Sequence, residues 1–160
     1  MDVKRTKTPE QALRTLMDLC AKSEKSGGDA RRLLARWGVE PEQREEIVQR
    51  LVREKFIDDS RYAEAYGRDK INLSRWGAYK IRAGLRAKQI PDEVIDAALR
   101  QADAGTMRGR LAGLLENRMK TVRAKNSYEL RGKLLRYGAG LGFDYQDVVD
   151  AVDRLVREEW

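Results

Sequence analysis

Residues 81–89, IRAGLRAKQ, decide the fold because two other segments repeat their pattern at a spacing near fifty residues. Residues 30–38, ARRLLARWG, precede them by 51 positions, and residues 130–138, LRGKLLRYG, follow by 49. In every copy the first and fifth positions are apolar and the second is arginine. This spacing places the apolar side chains on one face of a helix and the arginine at its flank. Such a period is typical of stacked helical units that share a core.

Each copy of this signature is predicted to be the middle helix of a triplet. The three prolines, Pro9, Pro41 and Pro91, stand where helices can begin. No segment alternates with period two, so no sheet is predicted. The sequence therefore predicts an all-α protein of about nine short helices in three tandem three-helix repeats. The predicted repeats are residues 1–56, 57–103 and 104–160.

Local signals predict where several helices begin and end. Residues 26–28, Ser-Gly-Gly, indicate a break, so the next helix is expected to start at Asp29. Asp58 suits an N-cap, and the pair with Asp59 is interpreted as a helix start and not as a catalytic carboxylate site. The glycines of residues 138–142 predict a turn after the third signature.

The residue inventory argues against catalysis. Histidine is absent, which removes the usual proton shuttle and the commonest zinc ligand. No glycine-rich phosphate loop is present. Cys20 shares a helical face with Leu16 and Met17, which favours a packing role over a reactive one. We therefore predict a non-enzymatic protein with no catalytic residues, no metal, no cofactor and no small-molecule substrate.

The same inventory bears on location. No apolar run of about eighteen residues is long enough to span a membrane. The first residues, MDVKRTKTPEQ, lack the apolar segment of a secretory signal. A lone cysteine cannot form an internal disulfide. We expect a cytoplasmic protein, not bound to a membrane, and a monomer.

Positive charge is concentrated in two segments. The whole chain carries a net charge of +7, while residues 61–90 alone carry +6 and residues 104–136 carry +7. The predicted third helices of the second and third repeats are acidic. Such segregation attracts polyanions or acidic protein surfaces.

The cations of these segments and the signature arginines form the predicted binding face for a protein partner or DNA. The face comprises Arg61, Arg68, Arg75, Lys80, Arg82, Arg86, Lys88, Arg131 and Arg136. Trp76 and Tyr79 lie in the most basic segment and are candidate aromatic contacts. Trp37 and Tyr137 each precede a signature glycine, and we interpret them as packing residues. The alternative is that the cations are ordinary solvated side chains on amphipathic helices.

Residues 56–66, FIDDSRYAEAY, followed by residues 76–90, WGAYKIRAGLRAKQI, resemble the RecX family of recombinase regulators. The resemblance covers nearly the whole chain and is strongest in residues 51–100. Its structural signature comprises Ile57, Asp58, Asp59, Tyr62, Ala63, Tyr66, Ile81 and Leu85.

The resemblance implies a curved, elongated array of three-helix repeats that binds RecA, chiefly its filament on single-stranded DNA. It further implies inhibition of ATP hydrolysis, strand exchange and the co-protease activity behind the SOS response. These are functions in homologous recombination and DNA repair. Weak binding to single- or double-stranded DNA is also implied.

Two positions depart from the family pattern. Gly67 stands where the family usually has a larger apolar residue, so we expect the helix to kink or fray near Arg68. Gln89 replaces a glycine before Ile90, so we expect that helix end to be built differently.

A second hypothesis is a direct DNA-binding protein of helix-turn-helix type that acts as a transcription regulator. Three-helix units and the net charge of +7 are compatible with it. Against it, the positive charge is spread over two repeats, and no single helix stands out as the one that reads a DNA groove. An enzyme is a distant third interpretation.

Overall fold

The computed structural model describes residues 6–101 and 104–159, and within these ranges the chain forms nine α-helices and no strand. This confirms the predicted all-α class. The helices are α1 (Pro9–Lys22), α2 (Gly27–Arg36), α3 (Pro41–Arg53), α4 (Asp59–Asn72), α5 (Ala78–Ala87), α6 (Asp92–Gln101), α7 (Ala104–Thr121), α8 (Ser127–Gly140) and α9 (Tyr145–Glu159). Among the described residues, none of these helices has the length and apolar character needed to cross a bilayer.

Helix α2 begins at Gly27, two residues earlier than predicted. Ser26 is its N-cap: the Ser26 hydroxyl accepts from the Asp29 N–H, and the Asp29 carboxylate accepts from the Ser26 N–H. This reciprocal capping box pairs two N–H groups that the helix itself cannot satisfy. The predicted break between α1 and α2 is present, but it lies at residues 23–26, because the prediction gave weight to the glycines and missed the cap that precedes them.

Two signature helices end in the same way although their ninth residues differ. Gly38 has φ 78° and Gln89 has φ 61°, both in the left-handed region. The next residue then donates back across the last turn, Val39 N–H to Leu34 O at 3.0 Å and Ile90 N–H to Leu85 O at 3.1 Å. The expectation of a differently built end at Gln89 was therefore wrong.

The third signature helix runs further than predicted. Helix α8 continues through Gly138, which is buried, and ends at Gly140. A Cβ at Gly138 would lie 2.7 Å from Cγ1 of Val148, so the glycine allows α9 to pack closely. Gly142, with φ 91°, takes the left-handed position that Gly38 has in the first copy. The turn predicted for residues 138–142 is thus confined to its last residues.

Residue contacts divide the chain into two compact units. Unit 1 is Met1–Tyr66 with Leu85–Ala98, and unit 2 is Gly67–Gly84 with Leu99–Trp160. The boundaries fall inside α4 and α5, and α4 is continuous through Gly67, without the expected fraying. The three predicted repeats divide the chain differently from these two units, and they stay a prediction. The predicted boundary after residue 103 lies outside the described residues.

The core of unit 1 contains the first signature. Ala30 and Leu34 are fully buried with Leu16 and Leu51 from the flanking helices. Cys20 and Trp37 pack against this cluster, as predicted. Burial, and next the nearby Glu24 carboxylate, raise the pKa of the Cys20 thiol, which stays protonated and acts as an apolar group.

The core of unit 2 contains the third signature. Leu130 and Leu134 are buried with Leu115 of α7 and Val152 of α9. Tyr137 packs against the cluster, which confirms its predicted packing role. The first and fifth signature positions are therefore core positions in both units, as their spacing predicted.

Candidate binding surface

The net charge of the protein belongs to unit 2. Unit 1 contains 16 basic and 16 acidic residues, and unit 2 contains 17 basic and 10 acidic residues. The net charge is therefore 0 in unit 1 and +7 in unit 2. A surface able to attract polyanions is therefore expected in unit 2.

In unit 1 the start of α2 is packed against the end of α5. A Cβ at Gly28 would collide with the backbone carbonyl of Lys88, so only glycine permits this approach. Beside it, Gly27 N–H donates to Oδ1 of Asp59 at 3.1 Å. The Asp59 carboxylate and the negative end of α5 thus both lie at the positive start of α2, and this placement stabilises both of them.

Asp29 joins the same helix ends through its side chain. Its carboxylate accepts from Nζ of Lys88 at 2.9 Å and from Arg32 at 2.6 Å, in addition to its capping role. Burial opposes ionisation of Asp29. The hydrogen bonds from Lys88, from the Ser26 N–H and from Arg32 outweigh burial, and the pKa of Asp29 is lowered.

Unit 2 has a second junction of this kind, between the start of α5 and the end of α8. Gly77 N–H donates to Leu141 O at 2.8 Å, and Tyr79 N–H donates to Gly142 O at 2.9 Å. Unpaired donors of one helix start thereby satisfy unpaired acceptors of another helix end. A Cβ at Gly77 would lie 2.5 Å from Gly142 O, so this approach also requires glycine.

Trp76 lies beside this junction and is contacted by cations. Nζ of Lys70 lies 4.6 Å and Nζ of Lys80 4.7 Å from a ring centroid of the half-buried indole. Lys80 also donates to Gly140 O at 3.4 Å, near the negative end of α8. Lys80 therefore has a packing role in the junction beside any role in binding.

Among the described residues, at least four of the nine predicted binding cations have carboxylate partners. Arg61 pairs with Glu24 at 2.7 Å and donates to the carbonyls of Lys55 and Phe56. The other three ion pairs are Arg86–Asp92 at 2.9 Å, Lys88–Asp29 at 2.9 Å and Arg131–Asp153 at 2.7 Å. Each of these pairs partly neutralises a cation, which reduces the charge that it offers to a binding partner.

The remaining predicted cations lie in unit 2. Arg68, Arg75 and Arg136 are exposed, and within the described residues no ion pair involves them. Arg82 is half-buried and lines a hollow together with Tyr79. Tyr79 is 60% exposed, and its hydroxyl donates to Asp144 at 3.3 Å. We call Arg68, Arg75, Lys80 and Arg82 the α4–α5 cations.

The predicted signature residues cap a helix, stack on each other or lie buried. Asp58 caps α4, because its carboxylate accepts from Arg61 N–H at 3.1 Å. Tyr62 and Tyr66 stack with centroids 6.0 Å apart, and burial, followed by the Asp29 charge, raises the pKa of Tyr62 to about 12. Four other signature residues are buried: Ile57, Ala63, Ile81 and Leu85.

Sequence reasoning missed the two glycine junctions. The sequence signal for these junctions is a glycine at the start of the first two signature helices. Gly28 is the second residue of α2, and Gly77 directly precedes α5, whereas Asn-Ser-Tyr stands at the start of the third, at residues 126–128. It placed Asp29 at a helix start but missed its role in the capping box and in the ion pair with Lys88, although Ser26-x-x-Asp29 is a recognisable capping pattern. Close approach of helices distant in the sequence is invisible to local patterns.

Comparison with known proteins gives a consistent result. A family model described as the second three-helix domain of RecX matches residues 58–99. The chain is 28% identical to regulatory protein RecX of Prosthecochloris aestuarii, covering 83% of this chain and 85% of that protein. It is 29% identical to regulatory protein RecX of Clostridium acetobutylicum, covering 74% of this chain and 58% of that protein.

Two solved structures share the fold. RecX from Lactobacillus salivarius superposes with a TM-score of 0.78 at 21% identity, over 94% of this chain and 97% of that one. Another crystal structure of regulatory protein RecX gives a TM-score of 0.82 at 24% identity, over 94% and 73% of the two chains. At these identities the superpositions support the helical architecture.

Proposed function

Because the chain belongs to the RecX family of non-enzymatic RecA regulators, we propose that it binds the RecA recombinase mainly as its filament on single-stranded DNA. Bound there, it inhibits ATP hydrolysis, strand exchange and SOS co-protease activity. Three tandem three-helix repeats, over residues 1–56, 57–103 and 104–160, carry this activity in a cytoplasmic monomer. DNA is a weak additional ligand.

The observation that carries this proposal, beyond family membership, is the placement of charge. Unit 2 has an excess of seven basic residues, and Arg68 and Arg75 are exposed on it. A protein filament on DNA presents the same groups, phosphates among them, at many equivalent places. Several modest charged contacts made together give an affinity that no single contact provides.

We assign the contact surface to the α4–α5 cations, with Tyr79 as an exposed aromatic among them. Arginine suits this task because its planar guanidinium binds carboxylate or phosphate through two parallel hydrogen bonds. Arg61, Arg86, Lys88 and Arg131 are left out of this assignment because each pairs with a carboxylate within the chain.

A three-way capture assay tests the proposal. The protein is immobilised and offered RecA assembled on single-stranded DNA, free RecA, or the same DNA without RecA. We expect strongest retention of the filament, weaker retention of free RecA and little retention of bare DNA. Equal retention of bare DNA and filament would instead support the helix-turn-helix hypothesis.

A charge reversal tests the surface. Arg68→Glu combined with Arg75→Glu removes two exposed cations and adds two anions, so we expect inhibition of RecA ATP hydrolysis to weaken about tenfold or more. The matched control is Arg36→Glu with Arg53→Glu, an equal charge change at exposed positions of unit 1. Equal loss in both variants would mean that only net charge matters and would reject the assigned surface.

A salt titration separates protein contacts from DNA contacts. Duplex binding through about six phosphates loses affinity with a log–log slope near −5. We expect filament binding to fall less steeply, because part of it is contact with protein. A slope as steep as that of bare DNA would favour the transcription-regulator hypothesis.

A further inference from the structure

A groove in unit 2 lies between the end of α4, the turn that follows it and one face of α7. Its volume is about 310 Å³, at the small end of the range for ligand sites in proteins. Ten described residues line it, and all of them belong to unit 2. The predicted binding face did not include the α7 side of this groove.

Part of the lining of the groove is apolar. Leu114 and Phe143 line the groove and are almost fully buried. Ile71 and the half-buried Trp76 add further apolar surface. A flat ring that enters the groove would exchange water for contact with these side chains.

Two amides stand among these apolar residues. Asn72 is the last residue of α4, Asn117 lies on α7, and both side chains are exposed at the groove. Each amide offers donors and an acceptor to a ligand in the groove. The edge of a nucleobase offers the complementary donors and acceptors.

The rim is cationic. Arg75 and Arg110 line the groove, and the ten lining residues include no carboxylate. Arg110 is held in place because it donates to the Ile71 carbonyl at 3.0 Å, at the end of α4. A ligand with an apolar ring, a polar edge and an attached anion matches these three features together.

We propose that this groove binds one base of single-stranded DNA, with the adjoining phosphates on Arg75 and Arg110. The inference rests on the weak DNA binding of the proposed function and does not depend on RecA binding, because bare DNA is the ligand. It adds to the proposed function a specific point at which the regulator contacts the strand.

The test uses the full chain and no RecA. Binding of a short labelled oligothymidylate is compared with binding of an abasic strand of equal length, which has the same phosphates and no bases. We expect the base-bearing strand to bind at least about fivefold more tightly, the lower end for one well-contacted base. Equal binding of the two strands, or no binding of either, would overturn the proposal.

The decisive variant fills the groove. Gly113 lines it, and a Cβ there meets no atom within 4 Å, so Gly113→Leu places a side chain in open space. Gly109→Leu is the matched control, because Gly109 lies on the same helix, is equally open and does not line the groove. Gly113→Leu should abolish the base preference and Gly109→Leu should keep it; retention in both would reject the site.

Two further readouts keep the result interpretable. Circular dichroism checks helicity, and Asn117→Ala provides a second variant, which should weaken binding of the base-bearing strand and leave the abasic strand unchanged. If Gly113→Leu loses RecA filaments but keeps the base preference, a protein side chain occupies the groove and the proposal fails. Loss of RecA inhibition alone would reject the proposed function and leave this test unaffected.

Discussion

Unit 1 and unit 2 each join two signature helices through a glycine, yet they differ in what surrounds the joint. In unit 1 the joint is surrounded by paired charges, with Asp29 between Lys88 and Arg32. In unit 2 the joint consists of backbone hydrogen bonds from Gly77 and Tyr79, and its nearby cations contact an indole. Equal numbers of acids and bases suit a structural unit, and a cationic excess suits a binding unit.

The difference teaches that each basic residue of a repeat protein should first be checked for an intramolecular carboxylate partner. Only then can it be assigned to ligand binding. Arg31 and Arg131 occupy the same signature position and both pair with a carboxylate of the next helix, Glu45 or Asp153. Arg68 and Arg75 have no described ion pair and are exposed. Sequence counts alone treat these arginines alike.

The largest effect is expected from closing the joints. Gly28→Ala or Gly77→Ala would place a Cβ against backbone that cannot move aside, so we expect each to destabilise the protein by about 3 kcal/mol. Denaturant unfolding measures the loss. Hydrogen exchange should report it in unit 1 for Gly28→Ala and in unit 2 for Gly77→Ala.

The control for both is Gly140→Ala, where a Cβ meets no atom within 4 Å. It should leave stability unchanged or slightly raised. If Gly28→Ala and Gly77→Ala are as stable as this control, the joints are not close-packed and the comparison between the units loses its common element.

A smaller effect is expected at Asp29. Asp29→Asn removes the charge that Lys88 and Arg32 share, and we expect a loss of about 2 kcal/mol in thermal or denaturant unfolding. Asp153→Asn in unit 2 removes a more exposed partner of Arg131 and should cost clearly less. Equal losses would show that paired charge is no more structural in unit 1 than in unit 2.

The lowered pKa of Asp29 gives this variant a pH signature. A carboxyl group whose pKa is lower in the folded state than in the unfolded state stabilises the fold at any pH above its unfolded-state pKa. This stabilisation is lost as the pH falls through the folded-state pKa. The stability difference between wild type and Asp29→Asn should therefore be constant near neutral pH and shrink below about pH 4. A difference that persists in strong acid would contradict this assignment.

The smallest effect is expected at Gly67, the first residue of unit 2. A Cβ there meets no atom within 4 Å and α4 is continuous, so Gly67→Ala should stabilise the protein by about 0.5–1 kcal/mol. A rise in melting temperature measures it. Destabilisation would mean that glycine is needed at this position for a reason other than space.

Local patterns were sufficient for most of the fold. The apolar spacing of Leu34, Leu85 and Leu134 predicted the buried faces, and Asp58 predicted a helix start, because both depend on neighbours within one turn. The limits of α2 and α8 were wrong where glycine was interpreted as a break. Glycine there allows close packing against a different helix or its end, Lys88 for Gly28 and Val148 for Gly138, which local patterns do not encode.

The site was less predictable than the fold. Arg68 and Arg75 were recognised by charge alone, whereas the partners of Arg61 and Lys88 lie 37 and 59 residues away. Arg110 and Asn117 were missed because nothing in α7 marks the face that meets the end of α4. Which cation is available to a ligand depends on tertiary contacts.

The glycine joints also set a rule for lengthening the protein by design. A copy can accept the end of a following signature helix only if bare backbone is available near its own first turn, as at Gly28 and Gly77. Residues 126–128 carry three side chains at that place, and Tyr128 is 86% exposed. An engineered fourth triplet would dock only after glycine had been introduced there. The first residues of each copy therefore determine whether a following copy can pack against it.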